Sequence, residues 1–168
     1  GKDALAMMLL MAQSTFRARE QVSDMLSALE SAPTGIRVRL LKAFELPVFQ
    51  GGMGMFDRAL VTEHQSPTPD WAKLSHLLER AVALGRQWGT AAWEERAVRV
   101  LSIVYAEHLD DYRAAQRVLE DAGAGGRHVI KEQSANLAYG RKDYEYAIRI
   151  WEECLWGSSA GEEGLRDP

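Results

Sequence analysis

Two segments of this chain carry the same ladder of side chains, 32 residues apart. Tyr112, Ala115, Leu119 and Ala122 stand at offsets 0, 3, 7 and 10, and Tyr144, Ala147, Trp151 and Cys154 repeat those offsets. An α-helix turns once every ~3.6 residues, so each quartet falls on one helix face. In both, a large aromatic leads and a small alanine follows one turn later. That order lets a second helix approach closely beside the alanine. The pattern recurs, less cleanly, at Trp71, Leu74, Leu78 and Ala81. A chain written this way is constrained first in its architecture: helices laid face against face.

Aligned without gaps, residues 99–122 and 131–154 share seven identities in 24 pairs, including Ser102/Ser134, Ala106/Ala138, Asp111/Asp143 and Tyr112/Tyr144. Constant spacing with that many identities reads as an internal repeat. Asp143, Tyr144, Ala147, Trp151 and Cys154 resemble the second-helix half of the tetratricopeptide repeat motif, with Trp for the usual Phe and Cys for the usual small Ala. Asp111, Tyr112, Ala115, Leu119 and Ala122 resemble it too. The first-helix half departs from the motif. Ile103 stands where a small residue is usual, Ala106 and Ala138 replace the inner Tyr, and glycines around 123–126 replace the inter-repeat proline.

The resemblance covers about residues 71–155. It implies an all-α fold of antiparallel helix pairs, wound as a right-handed superhelix (an α-solenoid). It also implies a protein or peptide partner held on the concave face that the first helix of each unit lines. Counted from the motif, that face would carry Val100, Val104, Glu107, Glu132, Asn136 and Tyr139.

Outside the repeats the chain is also helical in pattern. Leu5, Met8, Leu9, Ala12 and Phe16, then Val22, Met25, Leu26 and Leu29, follow helical spacing, with a break expected at residues 13–15. Residues 4–12 are apolar but too few to span a bilayer, and an amphipathic helix is the better reading than a signal-peptide core. A turn is expected at residues 32–35, a helix over 36–46 stopped by Pro47, and an irregular stretch over 47–69 with three close glycines. Thr68 and Pro69 read as a cap and first residue of the next helix. Residues 91–108 form another helix whose second half is apolar nearly all round, the mark of an enclosed element. Helices at 112–122, 128–140 and 144–156 follow. The division expected is an N-terminal helical segment 1–65, repeats over 66–156, and a disordered tail 157–168. The chain begins at Gly1 and not at Met, so a place within a larger protein is expected.

Composition excludes more than it assigns. A net charge of −4 gives no general attraction to nucleic acid or anionic membrane. A single cysteine, Cys154, can close no disulfide within the chain and favours a cytoplasmic setting. Glu107, His108, Asp110 and Asp111 are the one run with metal-ligand chemistry, but a helix C-terminus followed by an Asp cap explains them better. Residues 122–127 lack the preceding strand and following Lys-Ser/Thr of a phosphate-cradling loop. No nucleophile–base–orienter grouping emerges, so neither catalysis nor a cofactor is expected. Arg37, Arg39 and Lys42 form a small basic face without interleaved aromatics.

These observations point to a protein-interaction, scaffold or sensor module. The alternative is an all-helical enzyme or small-ligand domain built on the irregular 47–69 region. The final helix carries Tyr146, Ile148, Ile150, Leu155 and Trp156 besides its inward ladder, more apolar surface than one neighbour covers. It is therefore expected either to self-associate, through Tyr146, Ile150 and Trp156, or to meet a further repeat.

Overall fold

The structure, a computed structural model, describes residues 18–45, 54–88, 91–123 and 128–163, and among them it is all helix, with no strand. The elements are α1 (Ala18–Ser31), α2 (Thr34–Glu45), α3 (Met55–Gln65), α4 (Trp71–Trp88), α5 (Ala91–Ile103) continued by a π-helical turn (Val104–His108), α6 (Tyr112–Gly123), α7 (His128–Gly140) and α8 (Tyr144–Glu163). The expected helix before residue 18, the stop at Pro47, most of the glycine stretch and the loop at 124–127 lie outside the described residues.

The helix with apolar residues on every side occupies the centre. On α5, Trp93, Ala97, Val98, Val100 and Leu101 are buried, and Val104 of the π turn continues the row. α4 and α6 flank it, α2 and α3 lie against it, and α7 reaches it from the other side. Ser102, buried in the same row, donates its hydroxyl proton to the Arg99 carbonyl at 2.7 Å. A hydroxyl satisfied within its own helix costs little to enclose. The ladder Leu74, Leu78 and Ala81 of α4 is buried as its spacing implies.

One apolar core runs across the division expected at residue 65. Val22, Met25, Leu26 and Leu29 of α1 and Leu41 of α2 belong to the same cluster as Leu78, Leu101 and Ile130. Each such buried side chain contributes roughly 1.5–3 kcal/mol of transfer free energy. Val100 and Val104, expected on a concave binding face, are therefore corrected to core positions, both 0% exposed. Helices α2, α3, α4, α6 and α7 all pack against α5, and a side chain with no accessible surface offers a partner nothing to touch.

Close approach sets one position absolutely. The α4 backbone at Gly85 lies so near α5 that an added Cβ would sit 2.4 Å from Trp93 Cδ1. Trp93 lies across this gap and donates its indole N–H to the Ala81 carbonyl at 2.8 Å. Gly85 is thus a packing site inside α4, which continues to Trp88.

The helix ends show why the segments break where they do. α4 starts behind Asp70, which accepts the Lys73 amide at 3.0 Å, so the cap is Asp70 and not Thr68 with Pro69. Arg37 closes the C-terminus of α1, donating to the carbonyls of Leu29, Glu30 and Ala32 at 2.7, 2.8 and 2.9 Å. Its guanidinium also lies 4.7 Å from the centre of the Trp88 ring. Thus the most prominent member of the expected basic face is occupied in structure.

The two repeat units turn at equivalent residues. Asp110 and Lys142, 32 positions apart, both adopt positive φ, 53° and 65°. Asp111 then caps α6 by accepting the Ala114 amide at 3.0 Å, and Asp143 caps α8 by accepting the Tyr146 amide at 3.4 Å. After α7 the closure is a Schellman motif, with Asp143 N–H to the Ala138 carbonyl and Lys142 N–H to the Tyr139 carbonyl, both at 2.9 Å. After α5 it is one residue wider. Leu109 N–H reaches the Val104 carbonyl at 3.0 Å and Asp111 N–H reaches the Tyr105 carbonyl at 2.8 Å. α8 passes the expected end at Trp156 and runs to Glu163, so residues 157–163 are helical and not a disordered tail. Its two internal glycines, Gly157 and Gly161, each cost the helix only about 1 kcal/mol.

Candidate functional site

Of the six positions expected on a partner-binding face, four reach solvent. Glu132, Asn136 and Tyr139 lie at offsets 0, 4 and 7 on α7, and all three are exposed; Glu107 is exposed on the π turn. Tyr139 is 56% exposed and joins this face to α8. Its ring centre lies 5.3 Å from that of Tyr144, edge to face, and 5.8 Å from that of Trp151.

On α8 the exposed apolar surface includes Ile148, Leu155 and Trp156, and it adds Tyr144, which the repeat ladder turns inward. Tyr144, Ile148, Trp151 and Leu155 stand at offsets 0, 4, 7 and 11 and so form one stripe. Tyr144, Ile148 and Leu155 are exposed, Leu155 by 71%, and Trp156 beside them by 70%. Tyr146 and Ile150 are half-buried and so supply little outer surface. Tyr146 instead faces a cleft bordered by Gln116 and Glu120 of α6 and Ser134 of α7. The physical reason is the phase of the helix. Ala147, fully buried, marks the centre of the packing face. Tyr144 and Trp151 sit at its edge, and α8 packs chiefly on α7, so the outer edge stays open. The spacing 144, 148, 151, 155 was legible in the sequence, but an inward ladder absorbed two of its members.

The cleft at Tyr146 encloses about 90 Å³. Small-molecule sites are commonly ~300–1,000 Å³, so this one suits a single side chain or water at most. Arg141 at its rim is held over the Tyr112 ring, 4.9 Å from the centre.

A second constellation gathers at the other end of α4. The rings of Trp71 and His108 stack at 3.6 Å with only 6° between their planes, and His64 lies 5.6 Å from His108 and 6.4 Å from Trp71. Burial pushes the His108 imidazole below its ordinary value; Glu107 opposes this and His64 adds to it. Beneath this group Glu63 is buried, accepting Arg19 at 2.7 Å and the Asp70 amide at 2.6 Å from the same oxygen. The sequence sets His108 beside Glu107, Asp110 and Asp111, yet no group of three or more His, Cys, Asp or Glu side chains is poised for a metal ion among the described residues. His64, 44 residues earlier, had no local signal connecting it to His108.

Within the irregular 47–69 region, residues 55–65 form α3, and its buried Phe56 meets Trp93 edge to face at 5.1 Å. Its described part therefore packs in the core. No described helix is long and apolar enough to cross a membrane. No family model, curated protein or solved structure matches this chain.

Proposed function

We propose that this chain is a protein-binding module of paired helices, of the kind that tetratricopeptide repeats build, and that it acts by binding and not by catalysis. One observation carries the reading: the exposed apolar stripe Tyr144, Ile148 and Leu155, continued by Trp156 and joined to Tyr139 on α7. A contiguous apolar surface on a helix with one main neighbour is costly to leave in water and is typical of an interaction site. Glu132 and Asn136 supply a polar flank on the same side of α7. The combination fits a helix whose apolar face lies along the stripe while its polar edge meets the flank. Equivalent turns 32 residues apart, each followed by an Asp cap, support a repeat-built scaffold. A lone cysteine is in keeping with a cytoplasmic setting.

The test compares capture by the chain with capture by Ile148→Glu/Leu155→Glu. Both substituted residues are exposed, so the fold, followed by circular dichroism, is expected to persist. A partner retained by the first and lost by the second supports the reading; identical capture sets overturn it. A second copy of the chain is the other occupant the stripe admits, because Leu155 and Trp156 are the most exposed apolar residues described. Sedimentation at micromolar concentration separates the two. A monomer whose Trp156→Glu variant sediments identically removes self-association.

A further inference from the structure

We infer that His64 and His108 form a two-histidine site for a borderline divalent cation of the zinc, nickel or copper class. The two imidazoles are 5.6 Å apart between ring centres. Two imidazole nitrogens sharing one ion at ~2.0–2.1 Å each place their ring centres about 5–6 Å apart, so the rings already stand at ligating separation. Trp71, stacked on His108 at 3.6 Å, fixes that ring's plane.

The backbone favours a cation at this place. His64 is the penultimate residue of α3 and His108 is the last of the π turn. Both therefore lie at helix ends where unpaired carbonyls concentrate negative partial charge. The N-terminus of α4, which also arrives here, is capped by the carboxylate of Asp70. The π turn closes α5 through bonds one residue wider than those after α7. Here the widened turn ends on His108 and brings it against Trp71 and His64, from α4 and α3.

Imidazole ligands select transition-metal and zinc ions over magnesium and calcium, which want oxygen. With no third protein ligand among the described residues, water completes the coordination. The site is therefore open and exchangeable, unlike the closed four-ligand sites that hold structural zinc. A bound ion would fasten α3 to the π turn across the start of α4.

The experiment uses the chain washed with chelator and then titrated with zinc by calorimetry and with nickel by tryptophan fluorescence. The expected result is one saturable equivalent, quenching by nickel of the Trp71 contribution, and a zinc-dependent rise in Tm. His64→Gln and His108→Gln each weaken binding by more than about tenfold, the loss that even an outer-shell change commonly causes. His76→Ala, at an exposed histidine beside Glu79, leaves binding intact. Circular dichroism checks that each variant folds. Absence of saturable binding at millimolar zinc overturns the site, as does equal binding by the folded His64→Gln variant.

Discussion

Single residues in this molecule carry consequences out of proportion to their size. Gly85 is the clearest. With Trp93 Cδ1 2.4 Å from where a Cβ would stand, Gly85→Ala forces the indole to move and breaks its hydrogen bond to Ala81. The expected cost is about 1–3 kcal/mol, read as a fall in the urea midpoint. Its helix propensity alone would have argued the opposite sign, since alanine is favoured by ~1 kcal/mol in a helix interior. Ala147, fully buried at the centre of the α7–α8 contact, behaves likewise. Ala147→Leu is expected to cost about 1–3 kcal/mol in the same measurement, and an unchanged midpoint would move the packing face elsewhere. His108 adds a pH dependence. Its folded-state value lies below its ordinary 6.5, chiefly through burial. The unfolded chain then binds a proton at a higher pH than the folded one does. Stability from this group is complete above 6.5 and falls as pH drops from there through the folded-state value, where the slope ends. In the presence of chelator, His108→Gln should flatten that part of the pH profile relative to the parent chain.

At the scale of elements, helix starts and stops were the most legible part of the sequence. The bounds of α7 and the beginnings of α6 and α8 follow from chemistry within a few residues: glycine before a turn, aspartate before an aromatic. Asp111→Ala and Asp143→Ala should each cost about 0.5–2 kcal/mol. The first should cost more in a thermal melt, because its cap bond is 3.0 Å against 3.4 Å. What spacing could not reveal is competition between signals at longer range. Thr68 and Pro69 have good cap chemistry, yet Asp70 takes the role while its own amide is held by buried Glu63, seven residues earlier. Nor could the π turn be read. Residues 99–122 and 131–154 align without a gap, and the extra width resides in which carbonyl each amide chooses. His64 and His108 meet only because α3 and the π turn are packed against the same helix, a fact no local pattern encodes.

Across the whole molecule, burial divides the residues that hold the fold from those open to a partner. Leu101→Ala, in the central helix, is expected to cost about 2–5 kcal/mol in denaturant unfolding. Ile148→Glu, on the open stripe, should leave stability nearly unchanged, as exposed substitutions generally do, within about 0.5 kcal/mol. Val100 and Val104 show why sequence reasoning assigned some residues to the wrong side of that division. Repeat logic gives each helix an inner and an outer face, but it does not foresee other helices of the same chain closing over one of them. On α7, Glu132, Asn136 and Tyr139 stay exposed among the described helices.

Among the described residues, helix α8 is fastened mainly through one neighbour and one capped turn. Its amide protons should therefore exchange with solvent sooner than those of α5, which is enclosed from several sides, since local opening needs only the α7 contact to part. A protein settling on the Tyr144–Leu155 stripe would slow that exchange selectively, with α5 scarcely affected. Recognition and the ordering of α8 would then register as a single event, visible amide by amide along one helix.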